Sequence, residues 1–205
     1  MHWDTLITRV NKVGLAPPDA TTNRADRGDH DLNPDMKPPD QLIPAAVLIP
    51  LINRRDGVMV MLTKRSEAVP DHPGQISFPG GHIDASDASP RAAALREADE
   101  EVGLPSNSVE VVGELDIYIT RTGFHITPVV GLVRPPFDIR PNPSEVAEVF
   151  ELPFELAVDP ANYERRSRVF EGRLRNFYVL TFEDRVVWGA TAGMLVNLAQ
   201  VLHGQ

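Results

Sequence analysis

The sequence predicts an α+β fold, a β-sheet held between helices in a helix–sheet–helix sandwich, and three observations predict it. Strand-like apolar runs recur from Ala45 to Trp188 and outnumber the helical segments. An acidic helix in mid-chain and an apolar helix at the C-terminal end bracket most of those runs. The 205 residues, 42% hydrophobic and 24% charged, suffice for one sizeable core.

Taken in order, Trp3, Leu6, Ile7 and Val10 follow i, i+3, i+4, i+7 and predict a short amphipathic helix. Its apolar side must dock either on the main body or on a partner subunit, the second case making a homodimer. Ala16 to Asp40 is rich in Pro, Asp, Asn and Gly and reads as an extended linker with little structure of its own. Residues 1–40 therefore form a helix plus linker, and the compact domain runs from Gln41 to the end. Ala45 to Ile52 is a continuous apolar run, as a strand buried on both faces requires. Asn53 to Gly57 is a hairpin turn and Val58 to Thr63 the return strand. Lys64 to Ser77 is a loop with Pro70, Pro73 and Gly74, leading into a short strand, Ile76 to Phe78. Further strands are expected at Val109–Ile117, His125–Val133, Val146–Leu152, Arg168–Phe170, Asn176–Phe182 and Val186–Trp188. A short helix is expected at Phe154–Val158. A C-terminal helix over Thr191–Leu202 turns Leu195, Leu198 and Leu202 inward.

Composition narrows the function. The formal net charge of −9 argues against a general binder of nucleic acid or anionic membrane. It leaves room for a small phosphorylated ligand, because bound cations and a few arginines reverse a local field. With no cysteine, disulfides, thiolate catalysis and Cys-based zinc sites are excluded. No apolar run approaches the length of a membrane span. Met1-His2-Trp3-Asp4 does not open a secretory signal. A cytoplasmic enzyme is the expectation.

The stretch from Phe78 to Leu104 organises the chain. Gly80-Gly81 signals a tight turn or close backbone approach. Ser89 stands at an N-cap with Pro90 at the first helical position, and Gly103 supplies the stop. On the helix between them, Leu95, Ala98 and Val102 fall on one side, read as core. Glu97, Glu100 and Glu101 are expected together on the other. Like charges one turn apart repel, and a hard divalent cation relieves that repulsion through carboxylate oxygens. Gly81 can turn a backbone carbonyl toward such an ion, and Arg96 can hold the glutamates in orientation. Mg²⁺ or Mn²⁺ set against a diphosphate neutralises charge and activates a water, whose proton goes to Glu100, Glu101 or a later glutamate among Glu145, Glu148 and Glu151.

The run Arg96-Glu97-Ala98-Asp99-Glu100-Glu101-Val102-Gly103-Leu104 resembles the second half of the Nudix box, and Gly81 matches the box glycine. Asp87 stands where the box has its first glutamate, and eight residues rather than seven separate it from Arg96. The resemblance implies a mixed sheet between helices in an α/β/α sandwich, and favours Glu145 as an extra catalytic glutamate. Leu62 to Ser66 and Gly74 to Gly81, together with the tail Val187 to Ala192, resemble the coenzyme A diphosphatase branch of that family. The likeness spans Gln41 to His203 and implies cleavage of coenzyme A or its derivatives to 4′-phosphopantetheine and 3′,5′-ADP. Arg65, Lys64, Arg121 and His82 are the expected phosphate partners. The branch often has an arginine where this chain has Pro70, which keeps other nucleoside diphosphate derivatives such as ADP-ribose or NADH in view. Two further alternatives are a module that binds a nucleotide without turnover, and an enzyme that clears oxidised nucleotides.

Overall fold

The computed structural model describes residues 1–13, 15 and 26–204. In chain order its elements are α1 (Trp3–Val13), β1 (Asp26–Gly28), β2 (Ile43–Arg54), β3 (Gly57–Arg65), β4 (Ile76–Ser77), β5 (Gly80–His82) and α2 (Pro90–Val102). There follow β6 (Val109–Glu114), β7 (Ile117–Ile119), β8 (Phe124–Val133), β9 (Val146–Pro153), α3 (Phe154–Val158), β10 (Tyr163–Phe170), β11 (Arg173–Phe182), β12 (Arg185–Trp188) and α4 (Ala190–His203).

The first nine strands make one mixed sheet. Its spine is the parallel pairing of β2 with β8, from Ile43 opposite Phe124 to Ile52 opposite Val133. β3 folds back on β2 through a two-residue turn and takes β9 on its other side. Side chains alternate across a strand, so β2 feeds two cores. Ala46, Leu48 and Ile52 pack with Ala93, Ala94, Ala98 and Val102 of α2. Ala45, Ile49 and Leu51 pack with Leu195, Leu198 and Leu202 of α4 and with Phe154 of α3. Burial on both faces is why this strand reads as unbroken apolar sequence. The α/β/α sandwich with a mixed sheet is the architecture the sequence implied.

Three expectations change. The last three strands do not join the main sheet; β10, β11 and β12 form a separate antiparallel sheet. β10 and β11 are also longer than their apolar content suggested. Glu164 to Val169 are exposed on both faces, so the strand is set by hairpin register rather than by an apolar face. The run Val109–Ile117 splits into β6 and β7, because the β6 register with β8 shifts at Val111–Gly113 and the ladder ends at Glu114.

Of the stretch expected as linker, residues 16–25 lie outside the described residues. The remainder has more structure than its composition suggests. β1 pairs parallel with β7, a 3₁₀ turn covers Asp29–Asp31, and Asn33 is buried. The Asn33 amide donates to the carbonyls of Asp29 and Asn176 and accepts from the Asn176 N–H. Hydrogen bonds hold this strap to the body, and they leave no apolar period to read in the sequence.

The amphipathic α1 docks on its own chain. Leu6, 0% exposed, and Val10 join the core that α4 covers. Leu6→Ala is expected to cost about 3 kcal/mol of unfolding free energy. Denaturant titration measures it, and because the packing lies within one chain the loss is independent of protein concentration.

Candidate active site

β5 and α2 build the acidic centre. Ser89 caps α2 by accepting from the Ala92 N–H, and Pro90 fills the first turn. Gly103, at φ 68°, ends the helix as its N–H turns back to the Asp99 carbonyl. β5 lies antiparallel to β2, with Gly80 opposite Val47 and Gly81 opposite Ala46. A side chain at Gly80 would meet the Ala46 carbonyl oxygen at 2.4 Å. One at Gly81 would meet Glu97 Oε1 at 2.5 Å. The glycine pair is what lets the strand backbone lie against the carboxylates.

The three glutamates of α2 do not share one solvated face. The buried stripe runs Ala94, Ala98, Glu101, Val102, so Glu101 points inward and is only 5% exposed. Leu95, expected in the core, is half-buried. Positions i, i+4, i+7 and i+8 define one helix face, and Glu101 belongs to it by spacing. Its Oε2 accepts the Gly80 N–H at 3.2 Å. Burial pushes the Glu101 carboxyl up to about 7, with the charges of Glu97 and Glu145 adding to the rise and Arg65 opposing it. Glu97 is raised as well, chiefly by burial, against the neighbouring Arg96. Glu100 points outward.

Arg96 is the hub. Its Nε and Nη2 clasp Asp87 at 3.0 and 2.9 Å. Nη1 donates to Glu97 at 2.9 Å and to Glu100 at 3.0 Å, and Nη2 also reaches the His82 carbonyl. The bidentate grip holds the Asp87 carboxyl below the usual carboxylate range. Asp87 also accepts the Asp84 N–H. Sequence reasoning set Asp87 beside the box as a departure; the structure makes it the anchor of the arginine. Among the described residues, no three His, Asp or Glu side chains gather around a single point suited to a metal ion. Arg96 holds Glu97 and Glu100 instead.

The other expected site residues divide. Glu145 is brought in: its charge is felt at both Glu97 and Glu101, and its carboxylate accepts from the Asn142 amide at 2.9 Å. The loop that carries it is tied down where the Ser66 N–H meets the Glu145 carbonyl. Glu148 and Glu151 are committed to Arg185 and Arg54. Arg65 approaches Glu101 from β3. Lys64 follows Leu62 on the opposite face, toward the α4 side, because β3 alternates between Met61 against α2 and Leu62 against α4. The His82 ring lies against Phe124 at 5.5 Å, and only its carbonyl enters the Arg96 network. The Arg121 guanidinium rests over the Phe170 ring, and the backbone N–H of Arg121 donates to Asp29 Oδ2. Among the described residues, neither partner of Arg121 is an α2 carboxylate.

The raised carboxyl of Glu101 has a stability consequence. A folded value near 7 exceeds the unfolded value of about 4.3, so this group's contribution is full below that lower value and is lost as pH rises toward 7 and beyond. Glu101→Gln, neutral at every pH, lacks that loss. In metal-free buffer the variant and parent are expected to differ little near pH 4.5. At pH 8 the variant is the more stable by roughly 3 kcal/mol, read from denaturant midpoints.

The NUDIX domain family model matches residues 42–171. Over 156 residues the chain is 45% identical to the uncharacterized Nudix hydrolase NudL of Citrobacter koseri, covering 76% of this chain and 80% of that one. Over 155 residues it is 43% identical to the protein of the same name in Enterobacter sp. (strain 638), with the same coverage. Among solved structures, an Ap4A hydrolase of C. elegans in a binary complex matches with TM-score 0.46 at 20% identity, over 54% of this chain and 80% of that one.

Proposed function

The chain belongs to the Nudix hydrolase family, and from that premise we propose that it cleaves the diphosphate linkage of coenzyme A or its derivatives, releasing 4′-phosphopantetheine and 3′,5′-ADP. Nudix hydrolases act on nucleoside diphosphate derivatives and generally use divalent metal ions. The choice of coenzyme A is supported by one observation above the rest. The two segments that resemble the coenzyme A branch, before the box and in the tail, meet in space. Thr191 Oγ1 donates to the Ile76 carbonyl at 3.1 Å across 115 positions of sequence. Gly189 sits where an added side chain would stand 4.0 Å from Gln75 Nε2.

Among the described residues the carboxylates do not converge on one point in this structure, but their residue types suit a hard divalent cation. The charge of Glu145 opposes ionisation of both Glu97 and Glu101, and like charges so placed favour an ion with oxygen ligands. In this reading Glu97 and Glu101 offer carboxylate oxygens and Gly81 its carbonyl, with Glu100 at the outer edge. With Oε1 held by Arg96 Nη1, Oε2 is the Glu97 oxygen that would be offered. A bound Mg²⁺ or Mn²⁺ supplies charge neutralisation on the diphosphate and acidifies a water. Arg65, beside Glu101, meets the phosphate charge as a guanidinium does. Arg96, clasped by Asp87, holds the glutamate side chains in register.

Glu145 takes the proton of the attacking water. It comes from a loop rather than the helix, its carboxylate is exposed, and it stands within the electrostatic reach of Glu97 and Glu101. Glu145→Gln is expected to lower kcat by about 10²-fold with little change in KM. Steady-state kinetics that instead raise KM at constant kcat would assign Glu145 to binding. The substrate is tested by incubating the protein with Mg²⁺ or Mn²⁺ and coenzyme A, acetyl-coenzyme A, ADP-ribose or NADH. The expected result is 3′,5′-ADP from the coenzyme A compounds in preference to product from the others. Faster turnover of ADP-ribose or NADH would overturn the assignment and leave the reaction type standing.

A further inference from the structure

Five arginines fall between Arg165 and Arg175, with Glu171 the one carboxylate among them. In a chain of net charge −9 that is a pronounced local reversal of sign. The β10–β11 hairpin sorts the arginines by face, because side chains alternate along a strand. Arg165 lies on one face and donates to the Leu32 carbonyl at 3.4 Å. Arg166, Arg168 and Phe170 lie on the other, with Arg168 opposite Arg175 and Phe170 opposite Arg173. Arg166 is paired with Glu164 at 2.8 Å, and Arg175 with Asp35 at 2.9 Å.

Three guanidinium groups are left over. Arg168 rests over the Phe170 ring at 5.4 Å, and Arg121, from the β7–β8 turn, rests over the same ring at 5.2 Å. Arg173 stands across the hairpin from that ring, and its charge is felt at Asp35. All three residues are exposed, and among the described residues none of them forms an ion pair with a carboxylate. One ring attracts two cations without neutralising either, whereas an anion neutralises both. The turn that carries Arg121 is fixed. Its backbone N–H donates to Asp29 Oδ2 at 2.8 Å, and the Phe124 N–H donates to Thr120 Oγ1 at 2.9 Å. Phe124 in turn lies 5.5 Å from the His82 ring, and the His82 carbonyl accepts from Arg96. The arginine cluster therefore borders the acidic centre without joining it.

We propose that Arg121, Arg168 and Arg173, gathered about Phe170, form a second phosphate subsite that takes the 3′-phosphate of coenzyme A. The inference rests on the coenzyme A reading and deepens it, since ADP-ribose and NADH carry no phosphate monoester. A monoester near neutral pH is largely a dianion with three free oxygens, which guanidinium forks match. The 3′-phosphate is carried by the ribose that is joined to the diphosphate. Its subsite must then lie beside the α2 carboxylates and apart from them, as the Arg121 turn does. A second copy of the chain is the poorer occupant. β10 is the outer strand of its sheet, and across a two-fold axis its arginines would meet their own kind.

Steady-state kinetics on coenzyme A and 3′-dephospho-coenzyme A with Mg²⁺ test the subsite. The parent is expected to have a KM for coenzyme A about tenfold lower or more. The double variant Arg121→Gln, Arg168→Gln is expected to erase that difference by raising KM for coenzyme A alone, at constant kcat. Arg173→Gln acts in the same direction. Arg165→Gln removes the same charge from the opposite face and is expected to leave both KM values unchanged. A parent KM for coenzyme A no lower than for the dephospho compound overturns the proposal, as does an equal loss on both in the double variant. So does an Arg165→Gln effect as large as that of Arg168→Gln, which marks a general field rather than a subsite. Should the parent turn over neither compound, the coenzyme A reading fails and calorimetry decides the subsite by itself. Tighter binding of 3′,5′-ADP than of 5′-AMP, lost in the double variant, keeps the subsite. Equal binding of the two by the parent, or a preference that survives the substitutions, overturns it.

Discussion

Replacing Glu97 and Glu101 together by glutamine is expected to lower turnover by about 10³-fold or more while the chain still folds. Both side chains keep their volume and can still accept hydrogen bonds, so the Gly80 N–H retains an acceptor as long as the new amide turns its oxygen toward it. What goes is the negative charge buried beside Gly80 and Gly81. Circular dichroism and a denaturant curve report folding, and release of 3′,5′-ADP from coenzyme A, the proposed substrate, reports activity. Since Glu101 ionises near neutrality, the variant is expected to be at least as stable as the parent at pH 8. A double variant as active as the parent would remove the acidic helix from the chemistry altogether.

Arg96→Met is expected to lower kcat by about 10²-fold through groups that never touch the substrate. Arg96 alone spans Asp87, Glu97, Glu100 and the His82 carbonyl. Without it the α2 carboxylates lose their common cation, and Asp87 loses the partner that depresses its carboxyl. Arg96→Lys restores the charge but not the planar fork that grips Asp87, so partial rescue is expected. Full rescue by lysine would mean that charge, not orientation, is what Arg96 supplies. Asp87→Asn provides an independent check on the same network, with an effect of like sign expected on kcat.

The acidic helix was legible because its signals are local. Ser89, Pro90 and Gly103 mark the ends of α2 at the positions the structure uses, and each acts on backbone groups within one turn. β2 was legible for the same kind of reason, since burial on both faces writes itself as consecutive apolar residues. Spacing of three and four residues sets Glu101 with Glu97 and Glu100 on one side of the helix, whereas the structure turns it inward. Its spacing from Ala94 and Ala98 also fits the buried face, and only the fold shows which side of α2 the sheet covers.

By itself the sequence determined the α+β class, the caps of α2, the two-faced burial of β2 and the family to which the chain belongs. Tertiary structure alone decided that Asp87 anchors Arg96, that Glu101 turns inward, and that β10–β12 form their own sheet. The division has one physical cause. Capping and periodicity act between residues a few positions apart, so they leave a pattern in the chain. A buried carboxylate's pKa or a bidentate grip depends on what the fold carries up from a distance, and no local spacing records that.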